Sequence, residues 1–277
     1  MLSNDLQKLF SLKGKTALVT GGGTGLGRIM TETMANAGSK VLICSRKLAN
    51  VKQAADEINE TLNEEAVLPF EGDISSEDGI AEIVQEVKSR TKDLNILINN
   101  SGATWGEKLG EFPYSAWGKV LDVNITGLFH LTQSLLGVLE GSAKNNDPSR
   151  IINLGSVMGS RPHGDGPYSY SASKAAVHHI TKILAKELGP RNITVNAFAP
   201  GPFQSKMTKF AFSTEEKEKA MAKNIPLRRT GRHHDIAAAT LYLCGTGGGY
   251  VTGTIIPLDG GIHVDTGPEL FEAAKNS

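Results

Sequence analysis

Short, nearly continuous apolar runs recur along the chain: KTALVT (15–20), KVLICS (40–45), AVLPFEGD (66–73), NILINN (95–100), RIINLGS (150–156), ITVNAFAP (193–200) and GTIIPLDGG (253–261). Such runs fit strands buried on both faces, which need no polar alternation. Between them the period changes. In GLGRIMTETMANAG, Leu26, Met30 and Met34 fall at i, i+4 and i+8, and Gly38 ends the pattern as a helix stop. Further helical patterns cover about 47–62, 76–91, 113–141, 168–188 and 232–244. Strand and helix alternate throughout. That order predicts an α/β fold: a doubly wound Rossmann-type parallel sheet of about seven strands, with helices on both faces.

Two stretches break the alternation. Residues 201–224 insert a mixed apolar and charged excursion after the sixth strand, and residues 262–277 form a tail. With no linker, repeat or low-complexity segment, one domain over 11–261 is expected, preceded by an extension at 1–10. Lys+Arg and Asp+Glu both total 29, so the chain carries no net charge. That balance argues against nucleic acid or an anionic membrane as partner. Hydrophobic residues make up 39%, enough for a large core. The two cysteines, Cys44 and Cys244, each sit in an apolar run and read as buried free thiols suited to a reducing compartment. No signal peptide or membrane-spanning run is apparent, so a cytoplasmic location is expected.

Gly21, Gly25 and Gly27 follow the first strand and open the first long helix in TALVTGGGTGLG, with Thr24 and Leu26 between them. A glycine turn at a helix N-terminus suits a pyrophosphate, because main-chain amides point at the anion and no Cβ blocks its approach. The spacing is wider than the general dinucleotide fingerprint. The second strand ends Cys44-Ser45-Arg46-Lys47, without the carboxylate that would take a ribose 2′-hydroxyl. Arg46 can instead fork onto a 2′-phosphate and Ser45 can donate a hydroxyl, which favours NADP(H). Asp73 and Ile74 end the third strand; Asp73 fits either an adenine contact or a plain helix cap. Asn99-Asn100-Ser101-Gly102 ends the fourth, where amides can brace the sheet or line a cofactor groove.

Of five tyrosines, only Tyr170 has a lysine four residues on, Lys174, which a helix would bring to the same face. Such a pair arises often by chance. Its setting is more telling, because it follows a strand ending in Gly155-Ser156. Reducing a ketone by hydride needs a proton donor for the developing alkoxide and a second hydrogen bond to the carbonyl oxygen. A neighbouring ammonium would lower the phenol from its ordinary value near 10, and Ser156 would be the second donor.

Taken together, TGGGTGLG, NNSG, LDVNITG, Ser156, YSASK and APGPFQSKM resemble the short-chain dehydrogenase/reductases over about residues 11–261. The resemblance implies Tyr170 as general acid/base, Ser156 as carbonyl orienter and Lys174 as ribose ligand and phenol tuner. It also implies that Asn124 holds a proton-relay water. Asn100 and Gly102 would flank the cofactor, Pro200, Gly201 and Ser205 would lie near the nicotinamide, and 201–224 would be a substrate lid. Members are commonly tetramers. Where NADP-preferring members often carry a basic residue this chain has Thr24, so the NADP expectation rests on Arg46.

NNSGATWGE, the 14-residue step from Ser156 to Tyr170, and APGPFQSKMT most resemble the bacterial 3-oxoacyl reductases of rhamnolipid synthesis and related ketone reductases. A small carbonyl substrate, reduced with NADPH, is therefore expected. A polyol or sugar-acid dehydrogenase and a non-catalytic nucleotide-binding regulator are the alternatives. Trp105, Met158, Phe203 and Met207 are candidate pocket residues, although Phe203 and Met207 equally fit packing. His178 and His179 lack a third ligand at matching spacing, so no metal is expected.

Overall fold

The computed structural model describes residues 4–162, 166–205, 208 and 212–265. After α1 (Asn4–Phe10) the chain lays down β1 (Thr16–Thr20), α2 (Gly25–Asn36), β2 (Lys40–Ser45), α3 (Leu48–Leu62), β3 (Val67–Glu71), α4 (Glu77–Arg90) and β4 (Ile96–Asn99). It continues through α5 (Ser115–Leu121), a π-helical stretch (Asp122–Gly127), α6 (Leu128–Ser142), β5 (Ser149–Leu154), α7 (Tyr168–Leu188), β6 (Ile193–Pro200), α8 (Glu215–Ala222), α9 (His233–Cys244) and β7 (Ile255–Leu258).

All seven strands run parallel in the order β3-β2-β1-β4-β5-β6-β7. Every carboxyl end therefore emerges at one edge. The order reverses between β1 and β4, where the two outgoing connections part and leave a crevice.

Side-chain alternation along the strands divides the core in two. Ala17, Val19, Val41 and Ile43 face α2, α3 and α9, against Met30, Met34, Val51, Ile58, Ile236 and Leu243. Leu18, Leu42, Leu97 and Ile151 face α4, α6 and α7, against Ile83, Val87, Leu131, Leu135, Leu139 and Leu184. Cys44 and Cys244 are buried, and burial pushes both thiols up to about 12.

Polar pins cross the second layer. The Asn99 amide donates to Thr132 Oγ1 at 3.0 Å and to Asn153 Oδ1 at 2.9 Å, and the Asn153 amide donates to Thr181 Oγ1 at 2.9 Å. β4 and β5 are thereby tied to α6 and α7. Buried hydrogen bonds of this kind favour one packing register, although Asn99 Oδ1 is left without a partner among the described residues.

The single helix expected over 113–141 is in fact α5, the π stretch and α6 in succession. Gly127 explains part of the deviation: a Cβ there would meet the Ile74 carbonyl oxygen at 2.0 Å. The wider π turn lets the helix pass close to the end of β3.

Candidate active site

Gly21 and Gly25 have φ of +67° and +55°, and the turn they form feeds directly into α2. Thr24 is the N-cap, with extended backbone and no side-chain hydrogen bond, so the first amides of α2 have no side chain on them. Gly27 is closed to any side chain: its Cβ would lie 2.3 Å from Gly21 O and 2.4 Å from Asn100 Nδ2. Asn100 locks the turn from the far side, donating its amide to Thr20 O at 2.9 Å and Gly21 O at 3.2 Å. Leu26 is half-buried against the core. This cradle of free amides and bare backbone fits a pyrophosphate.

At the neighbouring strand end, Arg46 is exposed and forms no salt bridge with a described residue. It is free to meet a 2′-phosphate. Ser45 is less available, because its hydroxyl donates to Lys47 O at 3.0 Å. Asp73 is not the cap of α4. Ser76 fills that position, accepting from Gly79 N, while Asp73 Oδ1 accepts from Ser75 N at 2.9 Å. Ile74 is 6% exposed, its side chain in the core.

The groove runs from the glycine turn towards α7. A Cβ on Gly25 would lie 3.3 Å from that of Ser205, and one on Gly102 would lie 3.5 Å from Asn124 Oδ1 and 3.7 Å from Lys174 Nζ. Gly201 is held to the end of β7, donating its N–H to Leu258 O at 3.0 Å, with Pro200 buried before it. Thus Gly21 meets Asn100, Gly25 meets Ser205, and Gly102 meets Asn124 and Lys174, all at the carboxyl edge of the sheet.

Ser156, Tyr170 and Lys174 meet at its inner end. Ser156 caps a short 3-10 turn after β5 and accepts from Met158 N at 3.2 Å. Burial pushes the Tyr170 phenol above its ordinary value, and its hydrogen bond with Ser156 pulls it partly back. Burial brings the Lys174 ammonium down to about 8. The sequence suggested an ammonium lowering the phenol. Instead Lys174 Nζ donates to Leu154 O at 2.6 Å and lies 5.5 Å from the Tyr170 ring centroid, so desolvation prevails.

Asn124, in the π stretch, spans two elements. Its Oδ1 accepts from Ala103 N at 2.8 Å, and its amide donates to Ala103 O at 3.0 Å and Ser173 Oγ at 2.8 Å. The side chain is thus fully committed to protein partners.

The pocket candidates separate. Phe203 is 5% exposed, packed in the core and so close to Gly231 that a Cβ there would lie 2.4 Å from its ring. It is a core residue rather than a lid. The two concavities beside it, of about 620 and 670 Å³, are not lined by Ser156, Tyr170 or Lys174. Met158 is half-buried beside Val157, Ile225 and Ile262. Trp105 stands under Lys119, whose Nζ is 5.4 Å from its ring centroid. Met207 lies outside the described residues.

No pattern in the chain points to Phe112, whose ring meets Tyr168 at 5.5 Å and Trp117 at 6.0 Å, both edge-on. This aromatic group joins the start of α7 to α5. His178, weighed in the sequence only as a metal ligand, lies directly beneath Ser156. The i+8 spacing from Tyr170 was the available signal.

A family model described as enoyl-(acyl carrier protein) reductase matches residues 21–263. The rhamnolipids biosynthesis 3-oxoacyl-[acyl-carrier-protein] reductase of Pseudomonas aeruginosa is 40% identical over 255 residues, covering 92% of this chain and 98% of that one. A 2-dehydro-3-deoxy-D-gluconate 5-dehydrogenase of Bacillus subtilis is 35% identical over 259 residues, 92% of this chain and 97% of that one. Among solved structures, the Pseudomonas aeruginosa RhlG/NADP active-site complex superposes with a TM-score of 0.89 at 39% identity, covering 92% of this chain and 99% of that one.

Proposed function

The chain belongs to the short-chain dehydrogenase/reductase family, and from that premise we propose that it reduces a 3-oxoacyl or similar ketone to a secondary alcohol with NADPH. It is an NADP-dependent oxidoreductase. The observation that carries the reading is the meeting of Ser156, Tyr170 and Lys174 beside a cradle of free helix amides.

When bound, the cofactor supplies a hydride. The free amides at the start of α2 would hold its pyrophosphate, Arg46 its 2′-phosphate, and Asn100 and Gly102 would flank it. The chain's own residues manage the proton. Tyr170 donates it to the oxygen that becomes the alcohol, and the Ser156 hydroxyl holds that oxygen by a hydrogen bond. Lys174, whose ammonium lies 5.5 Å from the Tyr170 ring centroid, would hold the ribose. Since the Asn124 side chain is occupied by Ala103 and Ser173, a relay water would rest on its main-chain carbonyl. The apolar groups we take to face the substrate are Trp105, Met158 and the Phe112–Tyr168 pair.

Oxidation of a sugar acid by the same residues is the competing reading, favoured by the Bacillus subtilis relative. It requires Tyr170 as phenolate, whereas burial favours the phenol. The aromatic wall also suits an acyl chain better than a polyhydroxylated one. We take residues 11–261 as the catalytic domain, working in the cytoplasm as a homotetramer. Following absorbance at 340 nm tests the choice. NADPH with acetoacetyl-CoA should be consumed much faster than NADP with gluconate is reduced; turnover confined to the sugar acid would refute the ketone reading.

A further inference from the structure

We propose that His178 is a positioning residue: its Nε2 accepts the main-chain N–H of Ser156 and holds that serine's hydroxyl opposite Tyr170. The inference rests on the roles given above to Ser156 and Tyr170.

Tyr170, Lys174 and His178 fall at i, i+4 and i+8 on α7, so one face of one helix carries all three. His178 is 7% exposed and points back beneath the turn after β5. Ser156 N donates to His178 Nε2 at 3.4 Å, and His178 Nδ1 meets Ser160 Oγ at 3.2 Å. Because Nε2 accepts, a neutral ring carries its proton on Nδ1 and donates it to Ser160.

The bond to Ser156 is stretched, so the ring's place must be secured by packing. Two glycines do this. A Cβ on Gly155 would lie 2.2 Å from His178 Nε2, and one on Gly159 would lie 2.8 Å from Cε1. The imidazole is therefore clamped between the main chain on either side of the turn that bears Ser156. A larger residue at 155 would strike the ring, and one at 159 would strike both the ring and the Lys174 main chain.

The ring also remains an acceptor across the neutral range. Burial first, then the positive charges of Lys174 and Lys182, bring it down to about 4. A protonated imidazole would lose the lone pair that Ser156 N–H needs.

The consequence is geometric. Tyr170 is placed by α7 itself, whereas Ser156 arrives from a different element, the end of β5. Of the described side chains, His178 is the one on α7 that reaches the Ser156 main chain. It sets the separation of the two groups that must grip one oxygen. Misplacing a catalytic group by about 1 Å can lower a rate about 100-fold.

The test is a mutant cycle with NADPH and acetoacetyl-CoA, with NADPH affinity read from its fluorescence. His178→Leu should lower kcat about 10- to 100-fold while NADPH affinity stays within about threefold. His178→Gln, whose amide oxygen can take the Nε2 position, should recover kcat to within about threefold of the parent. In a Ser156→Ala background His178→Leu should cause no further loss, because residues acting as a unit are not additive. A parental rate in His178→Leu overturns the proposal. So does an equal second loss in the Ser156→Ala background, or a Gln variant as slow as Leu. Should the Leu variant lack a cooperative melt, His178→Asn, whose shorter amide does not reach Ser156 N, replaces it in the same cycle. A full rate in both Ser156→Ala and Tyr170→Phe would instead mean that the catalytic reading is wrong, and this inference falls with it.

Discussion

Tyr170 has to be an acid in the direction we propose, and its surroundings favour that. Burial raises the phenol, so it keeps its proton throughout the neutral range. Tyr170→Phe removes the proton while preserving the ring, and should lower kcat for acetoacetyl-CoA about 100- to 10,000-fold with NADPH affinity unchanged. A variant retaining more than a tenth of the rate would exclude Tyr170 as the acid. Lys174 sets the alkaline limit. Its ammonium, held near 8, is charged below that value and neutral above it. Hence kcat/KM for NADPH, which reports the free enzyme, should be level below about pH 7.5 and fall as pH rises through about 8. A profile level to pH 10 would show that no lysine of lowered value governs cofactor capture. The i, i+4 spacing of Tyr170 and Lys174 was legible in the sequence. The turning of the ammonium towards Leu154 O was not, because a main-chain carbonyl leaves no mark on residue type.

The elements act through their ends. Most groups at the site come from a carboxyl end of a strand or the first turn of a helix, with Asn124 and Lys174 set further inside helices, and glycine permits the closest approaches. Gly27→Ala tests the tightest of them. With φ in the ordinary helical range the new residue has no backbone strain, but its Cβ would meet Gly21 O at 2.3 Å and Asn100 Nδ2 at 2.4 Å. Since Gly21 O is backbone, the turn must open. NADPH affinity should drop at least about tenfold, with a lower melting temperature, whereas helix propensity alone would stabilise the change by about 1 kcal/mol. A tighter-binding or more stable variant would mean that the turn adapts freely. The apolar runs and the glycine turn could be read directly, since strand burial and amide cradles impose their own residue types. The π stretch could not. It answers to the Ile74 carbonyl, a neighbour distant in sequence, and the same is true of Phe203, whose burial depends on Gly231.

For the whole molecule, burial of titratable groups couples the site to stability. His178 takes a proton near 4 when folded, against an ordinary value of 6.5. Between those values the unfolded chain binds a proton that the folded chain refuses, so stability is complete above about pH 6.5 and declines as pH falls towards 4. Asp147 acts lower. It sits at the opposite, amino edge of the sheet with Lys15 and Arg150, whose hydrogen bonds and charge outweigh burial and hold its carboxyl below the usual range. Its contribution is present above about pH 4 and is lost as pH falls through its folded value. Acid should therefore unfold the protein in two stages, the first owed in large part to the histidine. Melting temperature measured from pH 7.5 to 3.5 should fall less between 6.5 and 4.5 in His178→Gln than in the parent, and in parallel with it below that. Parallel curves over the whole range would show that His178 is protonated as readily in the folded protein as in the unfolded chain. The ring would then be no dependable acceptor for Ser156 at mildly acid pH, and the serine would have to be held by the turn alone.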